Sequence, residues 1–158
     1  MPAMQTHSSQ YRIEKLRQTL SIVLINGSAL DGEVFLQSAT RTRRRPEEPG
    51  DMLNDTDERF FALMREGEAI LVSKASVARA VTAFRTEEDD IYSPGIPVEV
   101  TLTDGTVCTG SIFPETRTGR PRLLDYLNSY RDQFLPVVDV QQVILINKDT
   151  IAHVREVA

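Results

Sequence analysis

The chain has 158 residues, 41% of them hydrophobic and 26% charged, ordinary proportions for one large or two very small globular domains. A net charge of −5 gives no whole-molecule attraction to nucleic acid, so any anion-binding function has to rest on a local patch. The single cysteine, Cys108, excludes an intrachain disulfide, and no apolar stretch approaches the ~20 residues that span a bilayer.

In chain order, Met1–Gln10 has no basic segment followed by an apolar run, so no secretory signal is expected. With the lone cysteine, this suits a cytoplasmic protein without membrane insertion. Over Tyr11–Leu20, Ile13, Leu16 and Leu20 fall at helical spacing, with Ser8 or Ser9 available as N-cap. The reading is a tail and short amphipathic helix over 1–21, covering one opening or edge of the β-structure beyond it. Strands are expected at 22–25, Glu33–Leu36, Phe60–Met64, Ala69–Ser73 and Val77–Val81, with an Asn26-Gly27 turn after the first. Residues 85–97, with Glu87-Glu88-Asp89-Asp90 and Ser93-Pro94-Gly95, read as a solvated acidic linker. Further strands are expected at 98–102, Thr109–Phe113, Phe134–Val138, Val143–Asn147 and Ile151–Val157, with Asp104-Gly105 as the first turn.

The two halves match in order. Asn26-Gly27 falls on Asp104-Gly105, Gly32 on Gly110, and Thr40-Arg41-Thr42-Arg43-Arg44 on Thr116-Arg117-Thr118-Gly119-Arg120. Asp51-Met52-Leu53-Asn54 falls on Asp125-Tyr126-Leu127-Asn128, Phe60 on Phe134, and Ile70–Lys74 on Ile144–Lys148. An ordered match of this kind reads as an internal duplication, with units at 22–84 and 98–158. Each would be a mainly β unit of about sixty residues, near the lower limit for folding alone. An open sheet that small leaves its edges unpaired, so closure into a five-stranded small barrel is expected.

The second half, from Val98 through Asp104-Gly105, Gly110-Ser111-Ile112, Asp125–Asn128 and Ile144–Ile151, resembles the Sm-like (Lsm, Hfq) barrels, a small SH3-like fold. The first half resembles them more weakly. The resemblance implies a helix followed by five bent antiparallel strands. It also implies RNA contacts at Asp125, Asn128 and Asn147-Lys148, and at Asp51, Asn54 and Ser73-Lys74 in the first half. The family's Arg-Gly pair is absent from both halves. The Asp-x-Leu-Asn pattern is also similar to uncharacterised bacterial proteins with tandem units of this kind.

Several residues are candidates for binding. Arg41, Arg43, Arg44 and Arg45 in one loop, and Arg117, Arg120 and Arg122 in the other, carry guanidinium groups suited to phosphates or carboxylates. They could equally be solvated or paired with Glu47, Glu48 and the Glu87–Asp90 run. Asp51, Asn54, Asp125 and Asn128 could read a base edge, or could bond the backbone at turns while the intervening Leu fills the core. Lys74 and Lys148 could reach a phosphate or guard a strand end. Tyr126 and Tyr130 flank Asn128 and could stack on a base. Cys108 reads as a small core residue; His7 and His153 make no metal site, and no cofactor motif is present.

These features predict a non-enzymatic binding or scaffold module, with protein as partner and a monomer or homodimer as its state. An RNA-binding pseudo-dimer using the arginine loops is the alternative, and a nucleotide or small-anion sensor is a third.

Overall fold

The computed structural model of the chain describes residues 15–37, 46–83, 95–114 and 122–157. It is mainly β. The first five strands are β1 (Lys15–Leu24), β2 (Ala29–Gln37), β3 (Phe60–Arg65), β4 (Glu68–Ser73) and β5 (Val77–Ala83). The last five are β6 (Ile96–Leu102), β7 (Val107–Ile112), β8 (Phe134–Asp139), β9 (Gln142–Asn147) and β10 (Ile151–Glu156). Two short helices, α1 (Pro49–Asn54) and α2 (Leu123–Ser129), each precede the third strand of their half.

Residues 15–20 are strand, where the spacing predicts a helix. Leu16, Gln18, Leu20, Ile22 and Leu24 alternate with outward residues, and a period of two can hide inside a spacing of four. The β-branched Thr19, Ile22 and Val23 favour the extended backbone. Tyr11–Glu14 lie outside the described residues. The first strand therefore begins well before residue 22, and β6 begins inside the segment read as linker.

The hairpin β1–β2 turns through Ile25-Asn26-Gly27, where Gly27 has φ +91°. Leu24 N–H donates to Ser28 O at 2.8 Å, Gly27 N–H to Leu24 O at 2.9 Å, and Ser28 N–H to Asn26 Oδ1 at 2.9 Å. The β6–β7 turn has the same bonds: Leu102 to Thr106 O at 2.8 Å, Gly105 to Leu102 O at 2.9 Å, and Thr106 to Asp104 Oδ1 at 2.8 Å. Only the glycine is left-handed, so these are three-residue turns closed by a glycine bulge. Gly32 and Gly110 serve a different need. A Cβ on either would come within 2.6 Å of Met64 O or 2.5 Å of Val138 O, where the second strand crosses closely over the third.

All ten strands belong to one antiparallel sheet, in the order β10-β6-β7-β8-β9-β5-β1-β2-β3-β4. The last five repeat the order of the first five. The expected closure into barrels is not seen: the sheet is open, and β4 and β10 are its edges. The reason is that β5, flanked by β1, uses its other side for β9, from Arg79↔Ile146 to Ala83↔Gln142. Pairing between the halves satisfies the edge that closure was expected to satisfy. Each half still surrounds its own apolar cluster, one centred on Leu20, Ile22, Val34 and Leu63, the other on Val98, Val100, Ile112 and Val137. A helix of 6 residues is too short to cover a five-stranded face, and most members of each cluster come from the strands.

The clusters interlock at the β5·β9 seam. Phe134 and Leu145, from the second half, are buried in the first half's cluster, while Val81 packs against the second. Phe134 is 1% exposed, whereas Phe60, its counterpart in the first half, is 57% exposed. Removing the two rings should therefore have unequal effects. Phe134→Ala is expected to cost about 3–5 kcal/mol of unfolding free energy, and Phe60→Ala less than about 1 kcal/mol in dilute solution, both read by urea denaturation.

Candidate binding edges and the junction between the halves

The Asp-x-Leu-Asn segments form helices, and their polar residues have defined positions there. Asp51 is the third residue of α1 and accepts from Glu48 N–H at 2.9 Å, closing a capping box at the helix start. Asp125 stands third in α2 and pairs with Arg122, Nε to Oδ2 3.0 Å, an exposed contact. That guanidinium, through hydrogen bond and charge, holds the Asp125 carboxyl below the usual aspartate range, and Arg122 is raised in turn. Leu53 is buried beneath α1; Leu127 is only half-buried beneath α2.

Lys74, which the sequence offers as a phosphate contact or a solvated strand end, is buried and points at the end of α1. Its ammonium donates to Met52 O at 2.7 Å and Asp55 O at 2.8 Å. These carbonyls have no partner within the helix, so the lysine caps it. Lys148 does the same work at the end of α2, donating to Tyr130 O at 2.8 Å with its charge 5.4 Å from the Tyr130 ring centre. Tyr126 and Tyr130 lie with ring centres 5.7 Å apart, and Tyr130 Oη donates to Phe134 O at 2.7 Å.

The asparagines point across the seam. Asn54, at the end of α1, accepts from Phe134 N–H at 2.8 Å and donates to Phe134 O at 3.2 Å. One side-chain amide of the first half thus grips both backbone groups of a residue in the second. Asn147 donates to Val77 O at 2.9 Å from the opposite direction. Arg79 reaches Asp104 in the β6–β7 turn at 3.4 Å, and Thr150 Oγ1 lies 3.5 Å from Ala78 O. A hydrogen bond from Thr106 N–H, then one from its hydroxyl, then Arg79, hold Asp104 below the usual aspartate range. Within the first half, buried Gln18 donates to Thr82 Oγ1 at 2.5 Å on β5.

Asn128, the counterpart of Asn54, is exposed. So are Leu124 on α2 and Phe60 and Leu71 at the β3–β4 edge. Cys108 is buried, and burial pushes its thiol up, away from the reactive thiolate. His153 is an exposed residue of β10. Among the described residues there is no group of three His, Cys, Asp or Glu that could hold a metal ion, and no helix is long and apolar enough to cross a membrane. Arg41, Arg43, Arg44, Arg45, Arg117 and Arg120, with His7, lie outside the described residues.

The seam and the edges do not stand out in the sequence as places of interest, though a signal for them is present. Strands with one wet face alternate, while strands covered on both faces read as continuous apolar runs. Val143-Ile144-Leu145-Ile146 is such a run, and β9 is covered on both faces. Ala69-Ile70-Leu71-Val72 is one too, yet β4 lies at the edge. No protein-family model, curated protein or solved structure matches the chain.

Two measurements test these contacts. Asn54→Ala strands a buried N–H at the seam and should cost about 1–3 kcal/mol in denaturation, while Asn128→Ala in dilute solution should cost a few tenths. Asp104 and Asp125 stay ionised below the pH at which a free aspartate protonates, near 3.9. Their ion pairs contribute fully above that pH and are lost as the pH falls through the lowered folded value. Carboxyl NMR titration should show both midpoints below the ~3.9 of a free aspartate.

Proposed function

We propose that this chain is a non-catalytic binding module that takes protein partners by strand addition at its two sheet edges. The fold behind this reading is a duplicated unit of the Sm-like, SH3-like kind. The repeated turn bonds, the paired close-approach glycines and the repeated strand order support the duplication. The single observation that carries the functional reading is the character of the β3–β4 edge. Leu71 is 70% exposed in the middle of a continuous apolar strand, beside exposed Phe60. An edge with free backbone groups and apolar side chains is a template for another strand. Soluble proteins guard such edges with charge or proline unless something covers them, and Glu68 is the only charge in β4.

The RNA-binding alternative leans on residues with other work. Lys74 is used on helix carbonyls, Asn54 on the Phe134 backbone, and Asp51 on a helix cap. The arginine loops and the exposed Asn128 are its remaining basis.

Affinity capture with immobilised wild-type chain and with Leu71→Glu tests the reading. Proteins retained by wild type, the chain's own copies included, should be lost from the variant. Leu71 is exposed, so the variant should keep its fold, checked by circular dichroism. Identical retention would overturn strand addition at β4. Retention of RNA alone, steeply weakened by salt and indifferent to Leu71→Glu, would replace it with the nucleic-acid reading.

A further inference from the structure

On the footing of strand addition at the sheet edges, β4 itself specifies what it takes. The β3–β4 turn is left-handed at both Glu66, φ 51°, and Gly67, φ 81°. A two-residue turn of that kind leaves its flanking residues, here Arg65 and Glu68, as a hydrogen-bonded pair. Bonding alternates from there, and Lys74 N–H, donating to Arg59 O at 2.9 Å beyond the strand's far end, keeps the same phase. Glu68, Ile70 and Val72 therefore bond to β3. Ala69 and Leu71 direct their N–H and C=O groups away from the sheet, on the side where β4 has no neighbouring strand. We propose that this edge takes a short extended peptide with an apolar centre and basic flanks, a run of Val, Ile or Tyr between lysines or arginines.

The apolar centre follows from the two faces of β4. On one face Leu71 lies opposite Ala62, and Ala69 opposite Met64, with exposed Phe60 at the end of the row. On the other, Val72 is buried in the first half's cluster and Ile70 packs against it. Successive residues of an added strand fall alternately on these two faces. Both sets therefore meet apolar neighbours, and β-branched or aromatic side chains suit both.

The basic flanks follow from charge at the strand's two ends. Glu66 and Glu68 stand at its start, and Asp55, Asp57 and Glu58 lead into Phe60, which pairs with Ser73 at its end. All five carboxylates are exposed, and among the described residues none is in an ion pair. The exposed cations beside them are Arg65 and Arg59; Lys74 is buried, with its ammonium on the Met52 and Asp55 carbonyls. Both ends are thus net acidic on a chain whose own charge is −5, which steers and orients a basic peptide. The other edge does not share this preference. On β10 His153, Arg155 and Glu156 are exposed together, and Arg155 pairs with Glu99 at 2.9 Å.

The test pans a displayed library of random short peptides on the immobilised full-length chain, with counter-selection on Leu71→Glu. That variant adds an acid, so charge alone would favour a basic peptide on it, and a loss there reports contact with Leu71. The peptides that depend on Leu71 should carry lysine or arginine on both sides of an apolar run. A synthetic representative should bind wild type about tenfold more tightly than Leu71→Glu, weaken as salt is raised, and slow amide exchange at Ala69 and Leu71. Reversing charge at both ends, Glu58→Lys with Glu66→Lys, should weaken it several-fold. Peptides that depend on Leu71 but carry no excess of basic residues overturn the proposal and leave strand addition at β4 standing with another partner. Basic peptides indifferent to Leu71→Glu overturn it as well. If no peptide depends on Leu71, strand addition at β4 fails with it.

Discussion

The pairing of β5 with β9 is the constraint on which the rest of this structure depends. Units of about sixty residues bury too little surface to be comfortably stable alone. Here each lends the other what it lacks. The backbone ladder closes one edge of each half, and Phe134 and Leu145 complete the first half's core. The halves are therefore one cooperative sheet and not two beads on a linker. Ladder hydrogen bonds would hold many registers; the burial of Leu145 against Ala80 and the grip of Asn54 on Phe134 fix this one.

Several polar residues of this structure take their hydrogen bonds from backbone. Lys74 and Lys148 each come directly after the fourth strand of their half and cap the helix that precedes the third, tying three elements together through backbone carbonyls. Asn54 and Asn147 bond across the seam in opposite directions. A buried amide with its partners in place specifies geometry, because any shift leaves it unsatisfied. The motif that looks most like a nucleic-acid site thus has a mechanical reason to exist. Asn128, the counterpart of Asn54 in the second half, is exposed.

Much of the strand layout is legible in the sequence. Nine of the ten strands lie within a few residues of where alternation, the Asn-Gly and Asp-Gly turns and the internal match put them, because these are local signals. The first strand is not, because Leu16 and Leu20 fit a helix and a strand equally well, and only pairing with β2 and β5 decides between them. The helices at 49–54 and 123–129 look like turns, being too short to show a period. The open sheet is hidden because closure and pairing between halves satisfy the same edge, and sequence cannot say which partner a strand takes. Of the candidate site residues, the lysines and Asn54 stand out by their repetition. Their use on backbone, a matter of distance across the fold, is not visible in the sequence.

Amide hydrogen exchange on the full chain tests the central claim, that the pairing of β5 with β9 joins the two halves into one sheet. The account predicts that β5 and β9 amides are strongly protected, while the outward amides of the edge strands β4 and β10 exchange fast. Exchange along β5 and β9 as rapid as at the sheet edges would contradict it.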